Sequence, residues 1–155
     1  MSDTPTILAL DASSTSLGYV VYDGAVFAFG EIALSGADIA DRCRQAHVAL
    51  ETLLKTMCAI DCIAIESPAS RFKKSLIPQC RVSGALMACA ALRGFLIVEV
   101  APKAAKMSLA AGGTASKATM QERAAEYGVT GEHAADALGV ALAALGMVTI
   151  ERRAA

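Results

Sequence analysis

The chain has 155 residues, 55% apolar and 5% aromatic with no tryptophan, so a single domain with a core of Ala, Leu, Ile, Val and Met is expected. No uninterrupted apolar run approaches the roughly 20 residues of a membrane span, and the polar segment Met1 to Pro5 lacks the basic start of a signal peptide; no membrane partner is expected, and the location expected is cytoplasmic. The formal net charge of −1 hides an asymmetry that keeps nucleic acid open as a partner: residues 1–65 hold three Lys/Arg against eight Asp/Glu, residues 66–123 nine against three, and residues 124–155 two against four.

Thr6 to Asp11 (TILALD), Leu17 to Asp23 (LGYVVYD) and Ala25 to Leu34 (AVFAFGEIAL) are short apolar runs that predict three strands. Asp23-Gly24 is a hairpin turn signal, so the second and third strands are expected to be antiparallel. From Asp38 to Cys58 the residues Ile39, Cys43, Ala46, Leu50, Leu53 and Met57 recur at steps of four and three, which predicts an amphipathic helix with Ser35-x-x-Asp38 as a capping-box start. Cys62 to Glu66 (CIAIE) is nearly all apolar, as a buried parallel strand is. Ser75 to Arg93 predicts an Ala-rich helix ended by Gly94, with small residues Ser83, Gly84, Ala88 and Ala91 that permit close approach of another element. Phe95 to Val100 predicts a fifth strand. Pro102 opens a helix at its first turn, Gly112-Gly113 breaks it, Ser116 to Tyr127 resumes helical spacing until Gly128, and His133 to Met147 is a last Ala/Leu helix.

This order predicts an α/β fold: a five-stranded mixed sheet, built from a three-strand antiparallel meander plus parallel strands, with helices on both faces and a core over about residues 6–147. The five cysteines (Cys43, Cys58, Cys62, Cys80, Cys89) are odd in number, sit mostly in apolar stretches and form no CxxC pair, so reduced, buried thiols are expected.

Two acids end apolar strands, Asp11 and Glu66, where an unpaired carboxylate costs several kcal/mol. Either acid alone is explained by backbone N–H donors or an ion pair. Two of them at the C-terminal ends of interior strands point to a ligand, because open α/β sheets gather ligands there. His133 and Asp136, three residues apart at the start of the last helix, share a face that can reach both acids; the plain alternative is a helix-start histidine beside a favourable first-turn charge. Three carboxylates and an imidazole suit hard divalent cations, Mg²⁺ or Mn²⁺, and imply phosphodiester hydrolysis with two ions about 4 Å apart, Asp11 being the best bridging ligand. Glu132 is an alternative ligand ranked below these four, since it falls before the expected helix start.

With those residues in place the chain resembles the RuvC family of Holliday-junction resolvases, whose topology is RNase H-like. The resemblance rests on Asp11 with Gly18-Tyr19, on Glu66, on Val100-Ala-Pro-Lys-Ala-Ala-Lys106, on Gly112-Gly113-Thr-Ala-Ser-Lys117 and on His133-x-x-Asp136-Ala-Leu, in order over roughly residues 6–147. It implies a structure-selective endodeoxyribonuclease for four-way or other branched DNA, acting as a homodimer in recombination and repair. It also implies that Lys106 and Lys117 meet the scissile phosphate; read without the resemblance, they are solvated surface lysines. Arg71, Lys73, Lys74 and Arg81 become candidate backbone contacts, and the small-residue helix a candidate dimer surface whose alternative is tight packing on the sheet.

The chain departs from the family in two places. Asp-Pro-Gly after the first strand is Asp11-Ala12-Ser13-Ser14 here, which leaves serine hydroxyls to form the turn. The aromatic that often follows the strand-four glutamate and stacks on an unpaired base is replaced by Ser67-Pro68-Ala69, with Phe72 the nearest substitute, which opens the alternative of a phage-type debranching nuclease. Other readings are a sugar-kinase-like phosphate loop at Asp11 to Gly18, which needs a second domain, and a non-catalytic DNA-binding domain, which predicts lost acids. A branch-migration partner has no signature in the sequence.

Overall fold

The computed structural model describes residues 4–57 and 59–154, with side chains described through residue 148. Cys58 lies outside the described residues. Strands β1 (Ile7–Ala12), β2 (Ser16–Tyr22) and β3 (Val26–Ala33) are followed by α1 (Ile39–Thr56), β4 (Cys62–Glu66), α2 (Lys73–Leu92), β5 (Leu96–Val100), α3 (Pro102–Ala110), α4 (Lys117–Ala125) and α5 (Glu132–Ala154). The sheet runs β3-β2-β1-β4-β5, antiparallel through the meander and parallel from β1 to β4 to β5. This is the mixed five-stranded sheet expected from the hydrophobic pattern.

The period-two alternation of a strand assigns each residue to a face. On β1 and β4, Ile7, Ala9, Cys62 and Ala64 join a core built with α3, α4 and α5, whereas Leu8, Leu10, Ile63 and Ile65 join one built with α1 and α2. Every residue of β1 is buried, because it is central in the sheet and covered on both faces. The edge strand β3 alternates between half-buried and exposed positions along its whole length.

Several local expectations are corrected. Helix α1 is capped by Asp38, whose carboxylate accepts from the Asp41 N–H at 2.8 Å, so the helix starts three residues beyond the Ser35 capping box. Helix α2 starts at Lys73, two residues early, and Glu132 lies inside the first turn of α5. Cys62 and Cys89 are buried and Cys43 half-buried, but Cys80 is exposed, because it lies on the side of α2 turned away from the sheet. The small residues of α2 divide in the same way: Ser83 faces the core, while Gly84, Ala88 and Ala91 face outward, and Gly84 has open space around it. Helix α2, 20 residues long, is also long and apolar enough by length and composition to cross a membrane. In the fold it lies on the sheet through Val82, Leu86, Cys89 and Ala90.

Candidate active site

Asp11 and Glu66 are brought together by strand register. Leu10 pairs with Ile65 in the parallel β1–β4 ladder, so the next residues, Asp11 and Glu66, stand side by side where the two strands end. By alternation both point to the face covered by α5. Asp11 is 6% exposed. The turn after it closes on Ser13, whose hydroxyl accepts from the N–H groups of Thr15 and Ser16 and donates to the Ser16 carbonyl, as the departure from Asp-Pro-Gly suggested.

Helix α5 supplies the other half. His133 Nδ1 donates to Asp11 Oδ2 at 2.8 Å, and Asp136, one turn on, lines the same cleft. Two features that place this helix were not read from the sequence. Glu31, on the exposed side of β3, accepts from the N–H groups of His133 and Ala134 at 2.7 and 3.2 Å, capping α5 from 102 residues away. Gly18, opposite Asp11 in the β1–β2 ladder, lies under the start of α5, where a Cβ would stand 2.3 Å from the His133 carbonyl carbon and oxygen. The Gly18-Tyr19 motif was visible, but its reason is this close approach. Glu31 had no local signal, since an acid on an edge strand is ordinary.

The cleft, about 330 Å³, is lined by Asp11, Glu66, His133 and Asp136 together with Lys106 from α3 and Lys117 from the start of α4. All six catalytic candidates therefore meet in one place. Glu132 ion-pairs with Lys117 at the rim. Gln79 of α2, absent from the expectations, lines the cleft and donates to the Ala12 carbonyl at 3.2 Å. Arg71, Lys73, Lys74 and Arg81 are exposed on and before α2 and do not line the cleft; Phe72, 75% exposed, stands among them.

Burial pushes Glu66 up to about 9, with the Asp11 and Asp136 carboxylates acting in the same direction and Lys106 against it. Burial, then Asp11, lifts Asp136 to about 6. The hydrogen bond to Asp11 raises His133 above its ordinary value against the opposing effect of burial. Three crowded carboxylates, of which Glu66 and Asp136 ionise with difficulty, beside an imidazole are a donor set for a hard divalent cation, whose charge removes their mutual repulsion. A larger cavity of about 580 Å³ lies between β3 and α1, lined by Tyr19, Ile32, Val48, Leu53 and others, with Arg44 as its one charged lining residue among those described; it offers no comparable chemistry.

No protein-family model and no curated protein sequence matches the chain. The fold does match solved structures. A Thermus thermophilus RuvC structure superposes with a TM-score of 0.74 at 22% identity, over 93% of this chain and 96% of that one. RuvC from the same organism in complex with Holliday junction substrate superposes with a TM-score of 0.78 at 22% identity, over 95% and 96%. The architecture is thus the RNase H-like α/β fold of those structures.

Proposed function

We propose that this chain is a metal-dependent endodeoxyribonuclease that nicks four-way DNA junctions, a crossover junction endodeoxyribonuclease. The observation that carries the reading is the convergence of Asp11, Glu66, His133 and Asp136 from two strand ends and a helix start, with Lys106 and Lys117 at the rim, on a fold shared with a RuvC structure bound to a Holliday junction. A non-catalytic reading does not account for four coordinating side chains in one cleft.

The three carboxylates and His133 would hold Mg²⁺ or Mn²⁺, two ions per site. When bound, the ions supply charge neutralisation and Lewis-acid assistance to water attack and to departure of the 3′ oxygen. Asp11 Oδ2 is taken by His133, which leaves Oδ1 as its donor toward a cation and Nε2 as that of His133. Asp11 in turn fixes the imidazole ring orientation. Lys106, on α3, offsets negative charge at Glu66 and Asp136, and a phosphate entering the cleft takes the same charge. Glu132 holds Lys117 at the rim and is read as a positioning residue rather than a ligand.

Arg71, Lys73, Lys74 and Arg81 are read as sequence-independent phosphate contacts, and Phe72 as the exposed ring available to an unpaired base. Two symmetric nicks need two sites, and the outer face of α2, with Ile77, Gly84, Ala88 and Leu92 exposed, is the surface we assign to a second copy. Ala69, a small side chain in the cleft wall, favours a wider range of branched DNA over strict cut-site preference.

The test is cleavage of a synthetic four-way junction by the purified chain in Mg²⁺ or Mn²⁺. Nicking is expected in preference to linear duplex, and Asp11→Asn is expected to bind the junction without cutting it. Unchanged cutting by Asp11→Asn, or equal attack on linear duplex, overturns the assignment.

A further inference from the structure

A second cluster of ligating side chains lies on the opposite face of the sheet, where α1 meets α2. His47 and Glu51 are one turn apart on α1, and Cys89 reaches them from α2. Glu51 Oε1 stands 3.6 Å from His47 Nε2 and 3.6 Å from Cys89 Sγ, and one donor atom from each residue lies within 4.8 Å of the others. A cavity of about 330 Å³ opens beside them, lined also by Leu92 and Arg93. The Cys89 residue is 2% exposed and the Glu51 side chain 16%.

We propose that His47, Glu51 and Cys89 form a site for a borderline transition-metal ion, zinc by preference, that clips α1 to α2. The inference stands apart from the cleft and from the proposed nuclease activity. Zinc takes imidazole nitrogen, carboxylate oxygen and thiolate sulfur at about 2.0–2.3 Å, so donor atoms on a tetrahedron are roughly 3.3–3.8 Å apart. Two of the three separations here already fall in that interval, and the third, within 4.8 Å, needs side-chain rotation to close it by about 1 Å at most. Thiolate and imidazole together favour zinc over magnesium, whereas the carboxylate-rich cleft has the reverse preference. Three protein ligands leave a fourth position for water.

In the structure a cation already partners this carboxylate: the Arg93 guanidinium is on Glu51 Oε1, and Lys55 Nζ is 3.9 Å from Oε2. The Arg93 side chain, 42% exposed at the C-cap of α2, would turn toward solvent when a metal ion takes the carboxylate. An ion pair that open to solvent holds the carboxylate far more weakly than coordination to a metal ion does. On binding, the Cys89 thiol gives its proton to solvent and the thiolate joins the metal. The clip then fixes the C-terminal half of α2, the helix whose first half reaches the cleft through Gln79.

Titration of the full-length, reduced protein with Co²⁺, followed by displacement with Zn²⁺, tests the site. A thiolate-to-cobalt charge-transfer band is expected at one ion per chain, discharged by Zn²⁺ and absent in Cys89→Ser. His47→Ala, at a half-exposed surface position that does not threaten folding, is expected to weaken Zn²⁺ binding by roughly 10-fold or more in a chelator competition. Absence of the band, its persistence in Cys89→Ser, or unchanged affinity in His47→Ala overturns the proposal.

Discussion

Among the described groups, Glu66 is pushed far from its ordinary value, with a clear consequence. Its ordinary value is 4.5, and burial beside Asp11 and Asp136 pushes it up to about 9. Between those values the native state keeps a proton that the unfolded chain releases, so stability falls as pH rises from about 4.5 toward 9. Asp136, lifted to about 6, acts in the same direction between about 4 and 6. His133, raised by its bond to Asp11, contributes stability below its unfolded value that is lost as pH passes through the raised native one. All three have one sign. The melting temperature in EDTA should therefore fall steadily from pH 5 to pH 9, and Mg²⁺ or Mn²⁺ should recover most of the loss at pH 8, because a cation favours the ionised carboxylates. A flat or rising profile in EDTA, followed by differential scanning calorimetry, contradicts this picture.

At the scale of elements, the site depends on how closely α5 crosses β2. The approach is possible only because position 18 has no Cβ: backbone atoms of His133 lie where that carbon would be, and backbone cannot rotate aside as a side chain can. Gly18→Ala should lower stability by about 1–3 kcal/mol, as overpacking does. The same change shifts the first turn of α5 relative to Asp11. A displacement of about 1 Å at reacting groups costs on the order of 100-fold in rate, so junction nicking should fall by more than the stability loss explains. Thermal melting and nicking rates on one protein sample check both. An alanine variant with native activity shows that α5 is not held by this contact. Glu31 serves the same end from β3, through two hydrogen bonds to the N-terminus of α5.

For the whole molecule, the proposed homodimer makes a separable prediction. Gly84 is exposed on α2 with nothing within 4 Å of an added Cβ, so the isolated chain accepts a side chain there, and arginine is the better helix former by about 1 kcal/mol. Gly84→Arg should leave the melting temperature of the monomer unchanged or higher while raising the dimer dissociation constant roughly 10-fold or more. Light scattering across a concentration series gives the mass. A dimer of undiminished affinity moves the interface elsewhere. The basic residues 71–81 follow the strand that ends in Glu66, so the charge asymmetry along the chain becomes a positive flank beside an acidic cleft.

The sequence by itself determined the ten elements and their order, and it singled out four acid and imidazole positions as candidates, because these follow from local rules: period two and 3.6, turn residues at Asp23-Gly24, and acids placed where apolar strands end. It also marked Lys106 and Lys117, but only by resemblance. Tertiary structure decided the rest. Glu31 reaches α5 across 102 residues, Gly18 matters through a helix that crosses it, and Gln79 joins the cleft because α2 lies over the end of β1. The His47, Glu51 and Cys89 cluster joins two helices that the sequence separates by 38 residues between Glu51 and Cys89. Each of these is a contact between elements, set by which faces meet when the two cores close on the sheet, and no local pattern of residues encodes that distance.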